Sequence, residues 1–424
     1  MSSKKLLFSL AAGAGIIWVA AHFYDASVTE TVRVVMQKTD GTHWSVHYEL
    51  EQQTDRLVFV RAPDHTRVNR WQPVSDQFMV AVDTATNEEF LARRDGQPFD
   101  QVSISLTPTY IPLLKDYAPF SPFTDGGMAW FSGRFKVCPL TCDDARRLTY
   151  DFRMEAQRLD YIRLPGLSGQ QAVSWQESAD DGYMVYVGPL APAITKLETI
   201  IDPGLPPALQ ASLQRDLPPL MGYFSDRLGA LNERPMIMAS FSSTSDGRYG
   251  QQGGVIGSQL FVHWYGHSLY ERMKNNDFVN ETLWFFAHEV AHLFQGNLFS
   301  NEDSWIHEGA AEFMAYEYLQ SQGMSDTFLS QQLASALTLC EEPLTDDLFA
   351  KHYACGLVVA SRIDSELKMN YPLGLFRLWE LYQLHVEQHP DEVGADAYFR
   401  ILAELTSQNF ANSVRSYLER QFSA

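Results

Sequence analysis

The stretch Trp284–Gln295, WFFAHEVAHLFQ, places His288, Glu289 and His292 in the pattern HExxH, inside an apolar run that reads as a buried helix. Histidines four residues apart leave one face of a helix one above the other, so their rings can converge on a single metal ion, and the pattern suits zinc. Downstream, Trp305–Phe313, WIHEGAAEF, is another apolar helical run and offers carboxylates at Glu308 and Glu312. A catalytic zinc takes two histidines and one glutamate and keeps its fourth position for water, which makes Glu308 the expected third ligand. Glu312 lies one turn further along the same face, where it would accept the outward ring N–H of a ligand histidine. The sequence leaves open which of the two carboxylates reaches the ion. Phe285, Phe286, Val290, Leu293 and Ile306 surround these acids with apolar neighbours, a costly setting for a carboxylate without a partner.

With an ion held by His288, His292 and Glu308, bound water becomes a nucleophile near neutral pH. Glu289 follows the first ligand directly and is placed to take that water's proton and pass it to a leaving amine.

The segments HEVAHLFQGN, His288–Asn297, and WIHEG, Trp305–Gly309, resemble the gluzincin metallopeptidases, specifically the aminopeptidase N branch with its HExxH helix, GN turn and WLNEG helix. The loop between the second histidine and the glutamate is a few residues shorter than in that family, and His307 stands where the family has asparagine. The resemblance implies one zinc ion, a peptide or protein substrate and hydrolysis of peptide bonds by zinc-activated water with Glu289 as general base. It also implies an oxyanion donor from a YxxG segment, here Tyr353 in Tyr353–Gly356. A strand before the zinc helix is expected to bind substrate through Gly253 and Gly254, but Gly257 stands where the family's exopeptidases carry the glutamate that reads a free amine. Removal of amino-terminal residues and cleavage within a chain are both open. His263 and His267 either line the cleft or are ordinary core and surface residues.

The expected architecture is multidomain α+β. Residues 1–25, with Lys4 and Lys5 ahead of the apolar run LLFSLAAGAGIIWVAAHFY, read as a secretory signal with a cleavage site at Val19-Ala20-Ala21, or as a membrane anchor formed by residues 6–24. Either reading sends the body out of the cytoplasm, to a periplasmic or extracellular location. Residues 28–192 carry short alternating runs such as TVRVVMQ, HWSVHYEL and YMVYVGPL between turn signals at Asp40-Gly41 and Asp181-Gly182, which predicts an antiparallel β-domain. For residues 193–385 the reading is a thermolysin-like zinc domain: a helix over Ala208–Leu231, a strand over Pro235–Phe241, a Gly/Ser-rich loop over Ser242–Gly254, a second strand over Val255–Tyr265, then the HEVAH helix. A helical carboxy-terminal extension occupies 386–424, with breaks expected at Glu341–Asp347 and Gln388–Gly394.

A formal net charge of −20 leaves no basic stripe to neutralise phosphates, so nucleic acid is excluded as a partner. The four cysteines fit an oxidising compartment; spacing does not fix their connectivity, and near-neighbour pairing of Cys138 with Cys142 and Cys340 with Cys355 is one scheme. The rival reading from another class is a catalytically inactive, peptidase-like binding or assembly protein at the cell envelope. Against it stands Glu289, because a closed structural zinc site has no use for a general base.

Overall fold

The computed structural model describes residues 30–40, 43–113, 116–143, 147–179, 182–244, 247–296, 303–343 and 348–422. The expected signal or anchor at 1–25, the Asn297 of the GN turn and the Asp181 turn position lie outside the described residues. Among the described residues no helix is long and apolar enough to cross a membrane.

The amino-terminal half is built from three sheets. In the strand Glu30–Lys38, Val32, Val34 and Met36 are buried while Arg33 and Gln37 are exposed, the period-two pattern of a half-buried strand. That strand sits inside a six-stranded sheet whose pairings are antiparallel except its own with Leu148–Glu155, which runs parallel with Glu30 opposite Leu148. A five-stranded sheet that includes Met128–Phe131 and Met184–Gly188 faces the other half of the molecule. There Phe123, Ala129, Phe131, Met184 and Tyr186 pack on Ile200, Met236, Met238 and Phe261. Polar keys fix the docking. The Gln259 amide bonds both backbone groups of Met184, at 2.9 and 2.7 Å. Asp202 accepts the backbone N–H of Thr124 at 3.0 Å and of Phe241 at 2.9 Å. The β-rich half is therefore held in register with the sheet of the other half.

That catalytic sheet comprises β1 (Ala193–Ile194), β2 (Glu198–Ile201), β3 (Met236–Ser242), β4 (Gly250–Ile256) and β5 (Gln259–Tyr265), in the order β1-β2-β3-β5-β4. Strands β2, β3 and β5 are parallel, and β4 closes one edge antiparallel to β5. The structure corrects the expected loop over Ser242–Gly254 and single strand over Val255–Tyr265. The chain instead forms a hairpin, because Gly257 adopts φ 55° and permits a two-residue turn between Ile256 and Gln259. The glycine-rich segment is the edge strand itself.

Helix α1 (Pro207–Leu228) buries Leu209, Leu213, Leu217, Leu220 and Phe224 as one stripe. The HExxH helix α2 (Asn276–Gln295) starts where the Asn275 side chain accepts the Asp277 N–H at 2.8 Å and stops at Gly296, whose φ of 70° suits a helix end. Then follow α3 (Ser304–Ser321), α4 (Asp326–Glu341), α5 (Leu348–Leu367), α6 (Leu375–Gln388), α7 (Ala395–Leu405) and α8 (Gln408–Phe422). A single apolar core runs from Leu197 through α2 and α3 to Leu418. Position 385 falls inside α6, and α7 and α8 bury Tyr398, Leu402 and Val414 in that same core, so the last helices belong to the catalytic half. Disulfides join Cys138 to Cys142 and Cys340 to Cys355, the second tying α4 to α5.

Candidate metal centre and cleft

Helices α2 and α3 lie against one another and bring three ligand atoms together. His288 Nε2 and His292 Nε2 are 2.9 Å apart, and Glu308 Oε2 lies 3.2 Å from the first and 3.1 Å from the second. Among the described residues this is the group of histidines, cysteines and acids able to hold a metal ion. Tetrahedral zinc with bonds of roughly 2.0–2.2 Å separates its ligand atoms by about 3.3–3.6 Å, so slight spreading of this triangle admits the ion.

The outward ring nitrogens support the same assignment. His288 Nδ1 is 3.3 Å from Glu312 Oε1, and His292 Nδ1 is 2.7 Å from Gln295 Oε1. The Gln295 oxygen at His292 Nδ1 places that ring's proton there and leaves its Nε2 lone pair turned inward, as a metal ligand requires, whereas His288 Nδ1 faces the Glu312 carboxylate without a hydrogen bond. Glu312 is itself held by the indole N–H of Trp284, and the Gln295 amide donates to the His307 carbonyl at 3.2 Å. Between the two acids the choice is geometric: Glu308 faces both inward nitrogens, whereas Glu312 faces the back of His288.

Electrostatics here favour a cation. Burial alone would lower the His288 imidazole, but Glu312, Glu308 and Glu289 outweigh it and push it up to about 9. Burial would raise the Glu308 carboxyl, yet the two histidines hold it well below the usual carboxylate range. Glu289, buried beside the same histidines, has its carboxyl raised by desolvation. Burial pushes the His307 ring, stacked 4.2 Å from His292, down to about 2, so it packs as a neutral wall.

Tyr353 arrives from α5. Its ring stacks on His288 with centroids 5.4 Å apart, and burial, with the neighbouring Glu308 carboxylate next, raises its phenol far above the ordinary value. The reason α5 can come so close is a glycine pair. A Cβ on Gly309, the glycine of WIHEG, would overlap the backbone of Gly356, and one on Gly356 would lie 2.5 Å from the Trp305 carbonyl oxygen. Two otherwise unremarked glycines thus let the Glu308 helix and the Tyr353 helix touch.

The edge strand β4 borders this site. A Cβ on Gly253 would meet the Phe261 carbonyl at 2.5 Å, and one on Gly254 would overlap the Tyr117 hydroxyl, so both glycines answer to packing. Gly257 occupies the hairpin turn. His263 is wholly buried between the Ser240 and Ser242 hydroxyls, at 2.7 and 2.9 Å, and burial lowers it to about 3. His267 is exposed beyond the end of β5. Neither stands with the ligand group.

Sequence reasoning missed Trp284, Gln295 and Tyr117. Gln295 follows His292 by three positions on the same helix face, a signal that was available. Tyr117 comes from the β-rich half and carries no such mark. Its hydroxyl reaches the Val255 carbonyl at 3.4 Å, and its phenol is raised by burial first and by the nearby Glu289 second.

The sequence matches no protein-family model and no curated protein. By structure, the chain is similar to an aminopeptidase N family protein from Idiomarina loihiensis, with a TM-score of 0.65 and 12% identity over 93% of this chain and 76% of that one. It is also similar to a variant of an M1 zinc metallopeptidase from Deinococcus radiodurans bound to a Tyr-Ser-Ala substrate, with a TM-score of 0.55 and 14% identity over 93% and 94% of the two chains. Yeast LTA4 hydrolase gives a TM-score of 0.51 and 11% identity over 92% and 67%. The chain thus has the fold of the aminopeptidase N type of M1 zinc metallopeptidase, a gluzincin-like catalytic half behind a β-rich amino-terminal half.

Proposed function

We propose that the protein is a zinc-dependent metallopeptidase that hydrolyses peptide bonds, with one zinc ion held by His288, His292 and Glu308. The observation that carries this reading is the convergence of two inward Nε2 atoms and one carboxylate oxygen within 3.2 Å of one another. Zinc, when bound in such a set, lowers the pKa of its water and polarises a carbonyl. Glu289 is the general base: it is buried beside the ligand pair, and desolvation raises its affinity for the proton it must hold between water and leaving amine. Tyr353 keeps its proton across the working pH range and donates a hydrogen bond to the developing oxyanion. Gln295 orients the His292 imidazole through a hydrogen bond at Nδ1, and the Glu312 carboxylate faces Nδ1 of His288 at 3.3 Å. The edge strand β4 supplies backbone groups against which an extended peptide can lie. The fold shared with a metallopeptidase bound to a tripeptide supports a peptide as the substrate.

Export is part of the proposal. Two disulfides suit an oxidising compartment, and the apolar amino-terminal run of the sequence is the feature that would direct the chain there, as a cleaved signal or a retained membrane anchor.

The test is to measure zinc content and peptide cleavage in wild type and in Glu289→Gln. Bound zinc in both, with turnover reduced about 10²–10⁴-fold in the variant, is the expected result. Zinc in both with no turnover in either would make the protein a binding scaffold.

A further inference from the structure

The edge strand β4 is met, on the side towards Glu289, by residues of the β-rich half. Tyr117 reaches over β4 to the Val255 carbonyl, and its ring packs on Phe131 with centroids 5.1 Å apart. The other neighbour of Phe131 is Arg61, whose guanidinium lies 5.1 Å from the ring centre. Arg61 NH1 also lies 3.2 Å from where a Cβ on Gly133 would stand, so that glycine leaves room for it. The Tyr117 phenol lies within electrostatic reach of Glu289, Asp116 and Arg61, the two carboxylates raising it and the guanidinium lowering it.

Arg61 is only loosely paired. Its nearest carboxylate, Asp116, is 3.9 Å away, beyond hydrogen-bond range, and is shared with the fully buried Arg134 at 3.5 Å. Arg134 is in turn paired with Asp64 at 2.8 Å. Among the described residues the Arg61 guanidinium has no hydrogen-bond partner, and its side chain is 47% exposed. A guanidinium held only by an aromatic ring and a loose ion pair keeps N–H donors that a carboxylate can accept in a bidentate pair.

We propose that Arg61 is a substrate-binding residue that selects peptides carrying a carboxylate at the Tyr117 end of the cleft, either an acidic side chain or a free carboxy terminus. This rests on the peptidase reading above. A protonated amine placed there would meet a cation; a carboxylate gains a charge-assisted pair while Tyr117 and Phe131 wall it from the metal ligands.

The test uses the full-length zinc-loaded protein and a matched set of fluorogenic peptides. At each position flanking the cleavable bond they carry glutamate or glutamine, and each is made as the free acid and as the amide. Cleavage is read with wild type, Arg61→Gln and Arg61→Lys, and binding with Glu289→Gln in the presence and absence of Arg61→Gln. The expected result is a preference of about tenfold to a hundredfold for glutamate over glutamine at one position, or for acid over amide. Which pair shows it identifies the source of the carboxylate. Arg61→Gln should collapse that ratio to about one with zinc content unchanged, and Arg61→Lys should keep part of it. Equal handling of every charged and neutral pair, or a preference that survives Arg61→Gln, overturns the assignment. A binding preference lost with Arg61→Gln, in a wild type that cleaves nothing, supports Arg61 and sinks the peptidase reading alone.

Discussion

The two halves of the molecule contribute to the cleft in different ways. The helical half holds the proposed metal ligands, base and oxyanion donor on three helices packed in one core, with the three candidate ligands between His288 and Glu308. The β-rich half brings Tyr117 to β4, with Phe131 and the proposed substrate residue Arg61 behind it, through a separate packing layer and a few polar keys. Chemistry is thereby encoded locally and selectivity at long range. The expectation that follows is that damage to the helical half costs turnover or metal, whereas damage to the β-rich half changes which peptide is taken.

Tyr353→Phe should give the largest contrast. Losing an oxyanion donor lowers kcat by about 10²–10³-fold with zinc content and KM little changed, as read by steady-state kinetics. A fall in KM affinity alone would move Tyr353 from catalysis to substrate binding. Gly356→Ala should come next. Its Cβ meets backbone on the neighbouring helix, which cannot yield as a side chain tip can, so α3 and α5 must part. The cost is about 1–3 kcal/mol in thermal or denaturant unfolding, with kcat reduced because Tyr353 and Glu308 separate. Unchanged stability would break the claim that the glycine pair sets the helix spacing. Tyr117→Phe should be the mildest. It removes one hydrogen bond to Val255, worth about 1 kcal/mol, so kcat/KM changes by less than about tenfold while zinc content stays whole. Loss of zinc on this change would show that the halves are not separable.

The same division explains what the sequence discloses. HExxH and WIHEG are legible because helical periodicity fixes which side chains share a face over a few residues; His288, His292 and Glu308 needed only two helices to keep register. The roles of Glu308 and Glu312 could not be separated beforehand, since both lie on one face and only the tilt of α3 on α2 decides which meets Nε2. The glycines of β4 signal turns in the sequence, which makes a loop through Gly254 the expectation, whereas in the structure they admit the Phe261 carbonyl and the Tyr117 hydroxyl. Arg61 and Tyr117 have no motif at all. Their place in the cleft depends on sheet docking through residues such as Gln259 and Asp202, far away in sequence. Position 385 lies within α6, and amphipathic period shows that such a helix is half-buried, not which core it joins.

The most direct measurement is anomalous diffraction at the zinc edge from crystals grown with zinc. The account requires one strong peak bonded to His288 Nε2, His292 Nε2 and Glu308 Oε2 at roughly 2.0–2.2 Å, with Glu312 turned to the back of His288. A peak coordinated by Glu312 in place of Glu308, or no peak between α2 and α3 at saturating zinc, would contradict it.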